Sequence, residues 1–152
     1  MTGILVVVDD PGWRKVRGLS PRLRRAAAAA AQAAGLTGAF SLTLLLASDA
    51  KLKSLNRKFR GTGKATNVLS FPALPGGDDY LGDVAIALGV TRREAGERGK
   101  TLADHATHLA VHGILHLAGY DHVKRRDAGI MEGLEIQILA KLGLGNPYEA
   151  DA

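Results

Sequence analysis

The chain contains no cysteine. Disulfides, thiolate nucleophiles, thiolate zinc sites and iron–sulfur clusters are therefore excluded, and any metal must be held by His, Asp or Glu. A chain without cysteine also suits a reducing compartment. Long hydrophobic runs are missing as well. The longest near the N-terminus is Ile4 to Val8, too short for a signal-peptide core or a membrane span. The expectation is a soluble cytoplasmic protein that makes no use of a membrane. A third absence is local: no acid occurs in the 28 residues 50–77.

What is present is ordinary globular material. Of 152 residues, 46% are hydrophobic and 23% charged, which excludes a disordered or fibrous chain. That length fits one domain spanning 1–152 and buries roughly 70% of the unfolded surface. Residues 143–152 read as a flexible tail, and 74–79 (LPGGDD) as a surface loop.

Charge is uneven. Residues 1–77 carry 12 basic and 3 acidic side chains, whereas 78–152 carry 8 and 12. Lys51, Lys53, Arg57, Lys58, Arg60 and Lys64 crowd into the acid-free stretch, and Arg14, Lys15, Arg17, Arg22, Arg24 and Arg25 form a second cluster. A basic half attracts polyanions, of which nucleic acid is the commonest; the alternative is a set of solvated helix faces. Aromatic residues are scarce, and only Phe59, Phe71 and Tyr120 stand near these segments as stacking candidates. No dedicated RNA-recognition motif is visible.

Periodicity predicts strands at 4–8, 40–47, 66–71 (closed by Pro72) and 81–88. Helices are expected over 21–34, from a Ser48/Asp49 cap to Arg60, over 91–99, from Thr101 to Gly119, and over 124–142. Leu52, Leu55 and Phe59 should face inward on the second helix, and Ile130, Met131, Leu134 and Ile138 on the last. Thr101 and Asp104 have capping-box spacing. The fold class is α+β: a small mixed sheet of about four strands covered by about five helices.

All five histidines lie between 105 and 122, in a segment ending His112-Gly-Ile-Leu-His116-Leu-Ala-Gly119-Tyr-Asp-His122. His112 and His116 stand at i, i+4 and share a helix face. His108 is on that face too, but about 12 Å from His116 along the axis. Three imidazoles so spaced on one rigid helix cannot all reach one ion. The third ligand must return from beyond the helix; Gly119 permits the turn and His122 follows it. His112, His116 and His122 are thus the expected ligands of one zinc ion per chain. Three neutral histidines leave a fourth position open, as at a catalytic zinc. His105 and His108 read as core or supporting residues. Asp121 and Asp127 could orient ligands or cap the turn and the next helix.

The spacing is that of the zinc helix and turn of metzincin proteases, a zincin-like helix. Those enzymes need Glu after the first histidine as general base. Here that residue is Gly113, so peptide hydrolysis by that route is excluded. Gly inside a helix costs about 1 kcal/mol relative to Ala, which points either to close approach of substrate or backbone, or to tight helix packing.

His112 to His122 resembles the signature of the YbeY family of metal-dependent endoribonucleases, His-Gly-x-Leu-His-Leu-x-Gly-Tyr-Asp-His, at every fixed position. Residues 56–72 (NRKFRGTGKATNVLSFP) resemble the family's Arg-Gly segment and following strand, Leu81-Gly-Asp-Val its Leu-Gly-Asp strand, and 131–139 its final helix. The resemblance thus covers about 40–142. It implies a zinc-bound RNase acting on single-stranded RNA, in maturation of the small-subunit rRNA 3′ end and in ribosome quality control, with RNA, and with the ribosome or its small subunit, as partners. It implies catalytic parts for Arg60, on RNA phosphate, and for His116. Asn67 stands where Asp is also usual and is given no acid–base part. Lys51, Lys53, Arg57, Lys58, Arg60 and Lys64 are the expected RNA contacts. The rivals are a ribosome-binding assembly factor whose zinc is structural, and a metal hydrolase of another substrate class.

Overall fold

The computed structural model describes residues 3–36, 39–61, 63, 66–73, 79–120 and 125–148, without the side chains of Arg60, Arg125 and Arg126. The expected loop at 74–78, together with Lys64, Asp121, His122 and residues 149–152, lies outside the described residues.

Among the described residues, four strands form one sheet: β1 (Gly3–Val8), β2 (Ser41–Ala47), β3 (Val68–Pro72) and β4 (Tyr80–Ala87). The order is β1-β2-β4-β3; β1, β2 and β4 run parallel and β3 is antiparallel to β4. The strands alternate by face. Leu42, Leu44 and Leu46 of β2 and Val84 and Ile86 of β4 are almost fully buried on one side. Five helices among the described residues complete the α+β fold: α1 (Leu19–Ala33), α2 (Asp49–Arg60), α3 (Leu88–Glu97), α4 (Leu102–Leu117) and α5 (Arg125–Lys141). Among the described residues no helix is long and apolar enough to cross a membrane.

Helix α4 is the centre of the molecule. Ten of its 16 residues are buried, because it lies on the sheet and is covered by α1, α3 and α5. The alanine run of α1 turns Ala26, Ala27, Ala30 and Ala31 inward, and such small side chains let two backbones approach closely. The other sheet face is covered by α2, which leaves Leu5 57% exposed.

Several boundaries differ from expectation for identifiable reasons. Pro72 belongs to β3 and pairs with Gly82; an edge strand tolerates a residue that cannot donate outward. Helix α3 starts at Leu88, directly after β4. Its own N-cap has no side-chain acceptor, and the Asp49 carboxylate of α2 accepts from Val90 N at 3.0 Å instead. Only half of the capping box forms: Thr101 Oγ1 accepts from Asp104 N at 3.0 Å, while Asp104 pairs with Arg22. A 3-10 turn at Pro11–Lys15, not expected from the sequence, inserts Trp13, whose indole N–H donates to Ala47 O at 2.9 Å.

Two inward assignments are wrong. Ile130 is 51% exposed and Phe59 is 60% exposed. On α5 the buried stripe is instead Met131, Glu135, Ile138 and Leu139. The expected tail is partly tied down, since the Tyr148 hydroxyl donates to Glu135 Oε2.

Candidate metal centre and nucleic-acid face

His112 and His116 lie one turn apart on the last two turns of α4, with ring centroids 4.6 Å apart and planes at 77°. Each ring is oriented through Nδ1. The chain turns back after α4 at Gly119, whose φ of 98° needs glycine. That turn brings Tyr120 O to 3.0 Å from His116 Nδ1. Glu135 Oε1 stands 2.7 Å from His112 Nδ1. A carbonyl and a carboxylate only accept, so both Nδ1 atoms carry the proton and donate. Both Nε2 atoms then present lone pairs, and they are 3.1 Å apart. Two converging lone pairs repel unless a cation or proton lies between them.

This donor set fits zinc. Neutral imidazole nitrogens are zinc ligands, and two of them on a tetrahedral ion at about 2.0–2.1 Å stand roughly 3.3 Å apart. Among the described residues no set of three metal-ligating side chains converges. His122, the third ligand expected from the sequence, lies outside the described residues.

Glu135 was not singled out from the sequence. It is fully buried, and three groups converge on it: His112 Nδ1, the Tyr148 hydroxyl, and His108 Nε2 at 3.4 Å. Burial alone would raise its pKa, but the nearby His108 ring and the hydrogen bonds from His112 and Tyr148 outweigh burial and hold it at about 2. Burial and the Glu135 charge push the Tyr148 phenol far above its usual range, so it stays a donor. The signal was available: a charged residue one turn after Met131 and three residues before Ile138, on a helix face otherwise apolar.

His105 and His108 are in the core, 1% and 8% exposed. His105 Nε2 donates to Glu94 Oε1 at 2.9 Å, and Asn67 Nδ2 donates to the same oxygen at 2.9 Å. Burial lowers the His105 pKa, and the Glu94 bond only partly offsets this. A recess of about 170 Å³ between Asn67, Arg98, His105, His108 and Tyr148 borders His112.

Gly113 is explained by packing. A Cβ there would lie 2.5 Å from Val84 Cγ1 and 3.1 Å from Ser70 Oγ. Ser70 Oγ donates to Gly113 O at 2.9 Å. The glycine seats α4 directly on β3 and β4, and a glutamate at this position would run into the sheet.

The basic residues of α2 are exposed: Lys51, Lys53, Arg57 and Lys58. Arg60 is its last residue, followed by Gly61 at φ 71°. The structure does not describe the Arg60 side chain or Lys64.

The family model described as Endoribonuclease YbeY matches residues 14–143. The chain belongs to the YbeY endoribonuclease family. The match reaches back to residue 14, well before the region about residue 40 where the sequence resemblance begins. The chain is similar to Endoribonuclease YbeY of Nitrobacter winogradskyi, 50% identical over 97% of this chain and 82% of the relative. It is also similar to Endoribonuclease YbeY of Rhodopseudomonas palustris, 51% identical over 97% and 91%. The solution structure of TM1509 from Thermotoga maritima superposes with a TM-score of 0.58 at 22% identity, over 98% of this chain and 99% of that one. At that identity the likeness concerns the fold alone.

Proposed function

We propose that this YbeY-family chain is a zinc-dependent endoribonuclease of single-stranded RNA, one catalytic domain acting on rRNA precursors at the small-subunit 3′ end in the cytoplasm. The relatives named endoribonucleases support the reaction class. The observation that carries the metal reading is the pair of Nε2 atoms 3.1 Å apart, each on a ring whose Nδ1 is occupied as a donor. His112, His116 and His122 would hold the ion. When bound, it lowers the pKa of water to about 7 and polarises a phosphoryl oxygen.

The chain's own residues supply the rest. Glu135 fixes the tautomer and orientation of His112, and Tyr120 O does so for His116. Lys51, Lys53, Arg57, Lys58 and Lys64 hold the strand by its phosphates. Arg60 offers a planar cation to the charge developing on the phosphoryl oxygens. Gly113 leaves no carboxylate where a zincin protease carries its base, which favours RNA over peptide.

The test is an RNase assay on purified wild type beside His112→Ala, His116→Ala and His122→Ala, with zinc measured on each. Wild type should hold one zinc and cleave; each variant should lose both. Cleavage by a metal-free variant refutes the metal reading. Full zinc in the His122 variant refutes the third ligand. Zinc-replete wild type that never cuts RNA favours an assembly factor.

A further inference from the structure

We propose that the cleft between α2 and the open face of the sheet holds one unstacked nucleobase of the bound RNA strand, with Phe59 as its stacking wall. This deepens the endoribonuclease reading and rests on it.

The cleft encloses about 810 Å³ and is lined by Thr43, Leu45, Leu55, Phe59, Phe71 and Asp83 among others. It lies on the sheet face opposite α4. Phe59 is the feature that needs a reason, because a phenyl ring on a helix is normally turned into the core, yet this one is 60% exposed. It leans on Phe71 with centroids 5.3 Å apart and planes at 59°. One ring of the pair is anchored in β3 and the other borders open space. Lys58 Nζ stands 5.4 Å from the Phe59 centroid.

Charge selects the occupant. The helix that carries Phe59 exposes Lys51, Lys53, Arg57 and Lys58, a row suited to a phosphate backbone. Among the described residues that line the cleft, the ionisable side chain is a carboxylate, Asp83, which accepts from the Tyr80 hydroxyl; that hydroxyl also bonds Thr43 Oγ1 at 2.7 Å. A carboxylate repels phosphate and accepts from base N–H groups. Phosphate therefore belongs on the lysines and the base in the cleft. An aromatic wall beside a basic row is the arrangement by which proteins bind single strands without reading sequence.

The experiment uses the full chain and a short fluorescent single-stranded 2′-O-methyl RNA, with affinity read by anisotropy and folding by thermal denaturation. Phe59→Ala should melt as wild type, since the ring is largely exposed, and should bind roughly 5- to 150-fold more weakly, the range for losing one base–aromatic stack. Phe59→Tyr should bind as wild type. A single abasic site stepped along the oligonucleotide should weaken wild-type binding at one position, and that position-specific loss should vanish in Phe59→Ala. Wild type that binds RNA while Phe59→Ala binds equally well, with an unchanged abasic profile, overturns the cleft alone. Wild type that does not bind RNA overturns both this inference and the reading beneath it. If Phe59→Ala binds RNA normally but converts a sedimenting dimer to monomer, the cleft belongs to a second copy and the proposal is overturned.

Discussion

Replacing Gly113 by Ala in α4 sets two known effects against each other. In an exposed helix the change stabilises by about 1 kcal/mol. Here the new Cβ would stand 2.5 Å from Val84 Cγ1, 3.2 Å from Val84 Cγ2 and 3.1 Å from Ser70 Oγ. Neither neighbour gives easily. Val84 is fully buried and β-branched, so its rotamer is stiff. Ser70 is tied to the Gly113 carbonyl at 2.9 Å. Helix α4 must lift off the sheet. Overpacking of this kind costs about 1–3 kcal/mol, and loss of the Ser70 bond adds about 0.5–1.5 kcal/mol. Net destabilisation of about 0.5–3.5 kcal/mol follows, or a fall in Tm of roughly 1–14 °C for a chain of this size. Urea or thermal melts of the zinc-free protein read it directly. Val84→Ala is the internal control, because it removes both close methyls. In that background only the Ser70 contact at 3.1 Å remains, so Gly113→Ala should cost at least about 1 kcal/mol less than in wild type. A wild-type background in which Gly113→Ala stabilises by about 1 kcal/mol refutes the packing account and returns the glycine to substrate passage.

Three further outcomes are expected. Glu135→Gln cannot accept from both His112 Nδ1 and Tyr148 while its amide N–H₂ faces another donor; zinc affinity should fall about 10- to 100-fold by competition titration, and unchanged affinity would remove Glu135 from the site. Arg60→Ala should keep wild-type zinc and melting while cleavage falls roughly 10²–10³-fold, with Lys rescuing only partly; wild-type cleavage under saturating RNA would make Arg60 a surface residue. His105 is held below its ordinary value of 6.5, chiefly by burial, and Glu94 below 4.5 because bonds from His105 and Asn67 outweigh burial. The unfolded chain therefore binds more protons. Stability from His105 is present above pH 6.5 and is lost as pH falls below it, with Glu94 adding to the loss below pH 4.5. Urea midpoints across pH 5–7.5 should show this slope flattened in His105→Asn; parallel curves would refute it.

The elements that carry their own pattern were legible in the sequence. Alternating β2 and the capped helices α2 and α4 stand within one or two residues of where periodicity puts them. The i, i+4 pair of histidines reads from spacing alone because one rigid helix positions both rings. What stayed hidden depends on partners distant in sequence. The start of α3 is set by Asp49, 41 residues before the amide it caps. Phe59 and Ile130 fit the apolar stripes of their helices, but amphipathic spacing does not say how far the neighbouring layer extends. The sheet face under α2 is left partly open, so Phe59 meets a cleft where the pattern implied a core.

Glu135 shows how such distant contacts complete the site. An isolated carboxylate at zero exposure would be driven to its neutral form. It is held ionised because α4 brings His112 and His108 to it and the segment after α5 brings Tyr148. The converse holds for His112. An imidazole alone on a helix face can protonate either nitrogen, and only a fixed acceptor at Nδ1 keeps Nε2 a lone-pair donor toward His116. The spacing of the histidines therefore specifies where two nitrogens meet, while the packing of α5 and its following residues specifies that both meet with their lone pairs facing. A variant that frees α5 from α4 should thus lose zinc even with every histidine intact. Met131→Ala, which opens a cavity at a fully buried position beside this contact, should cost about 2–5 kcal/mol in stability and weaken zinc along with it. Zinc affinity unchanged in a folded but destabilised Met131→Ala protein would mean that α4 and its turn orient the histidines without help from α5.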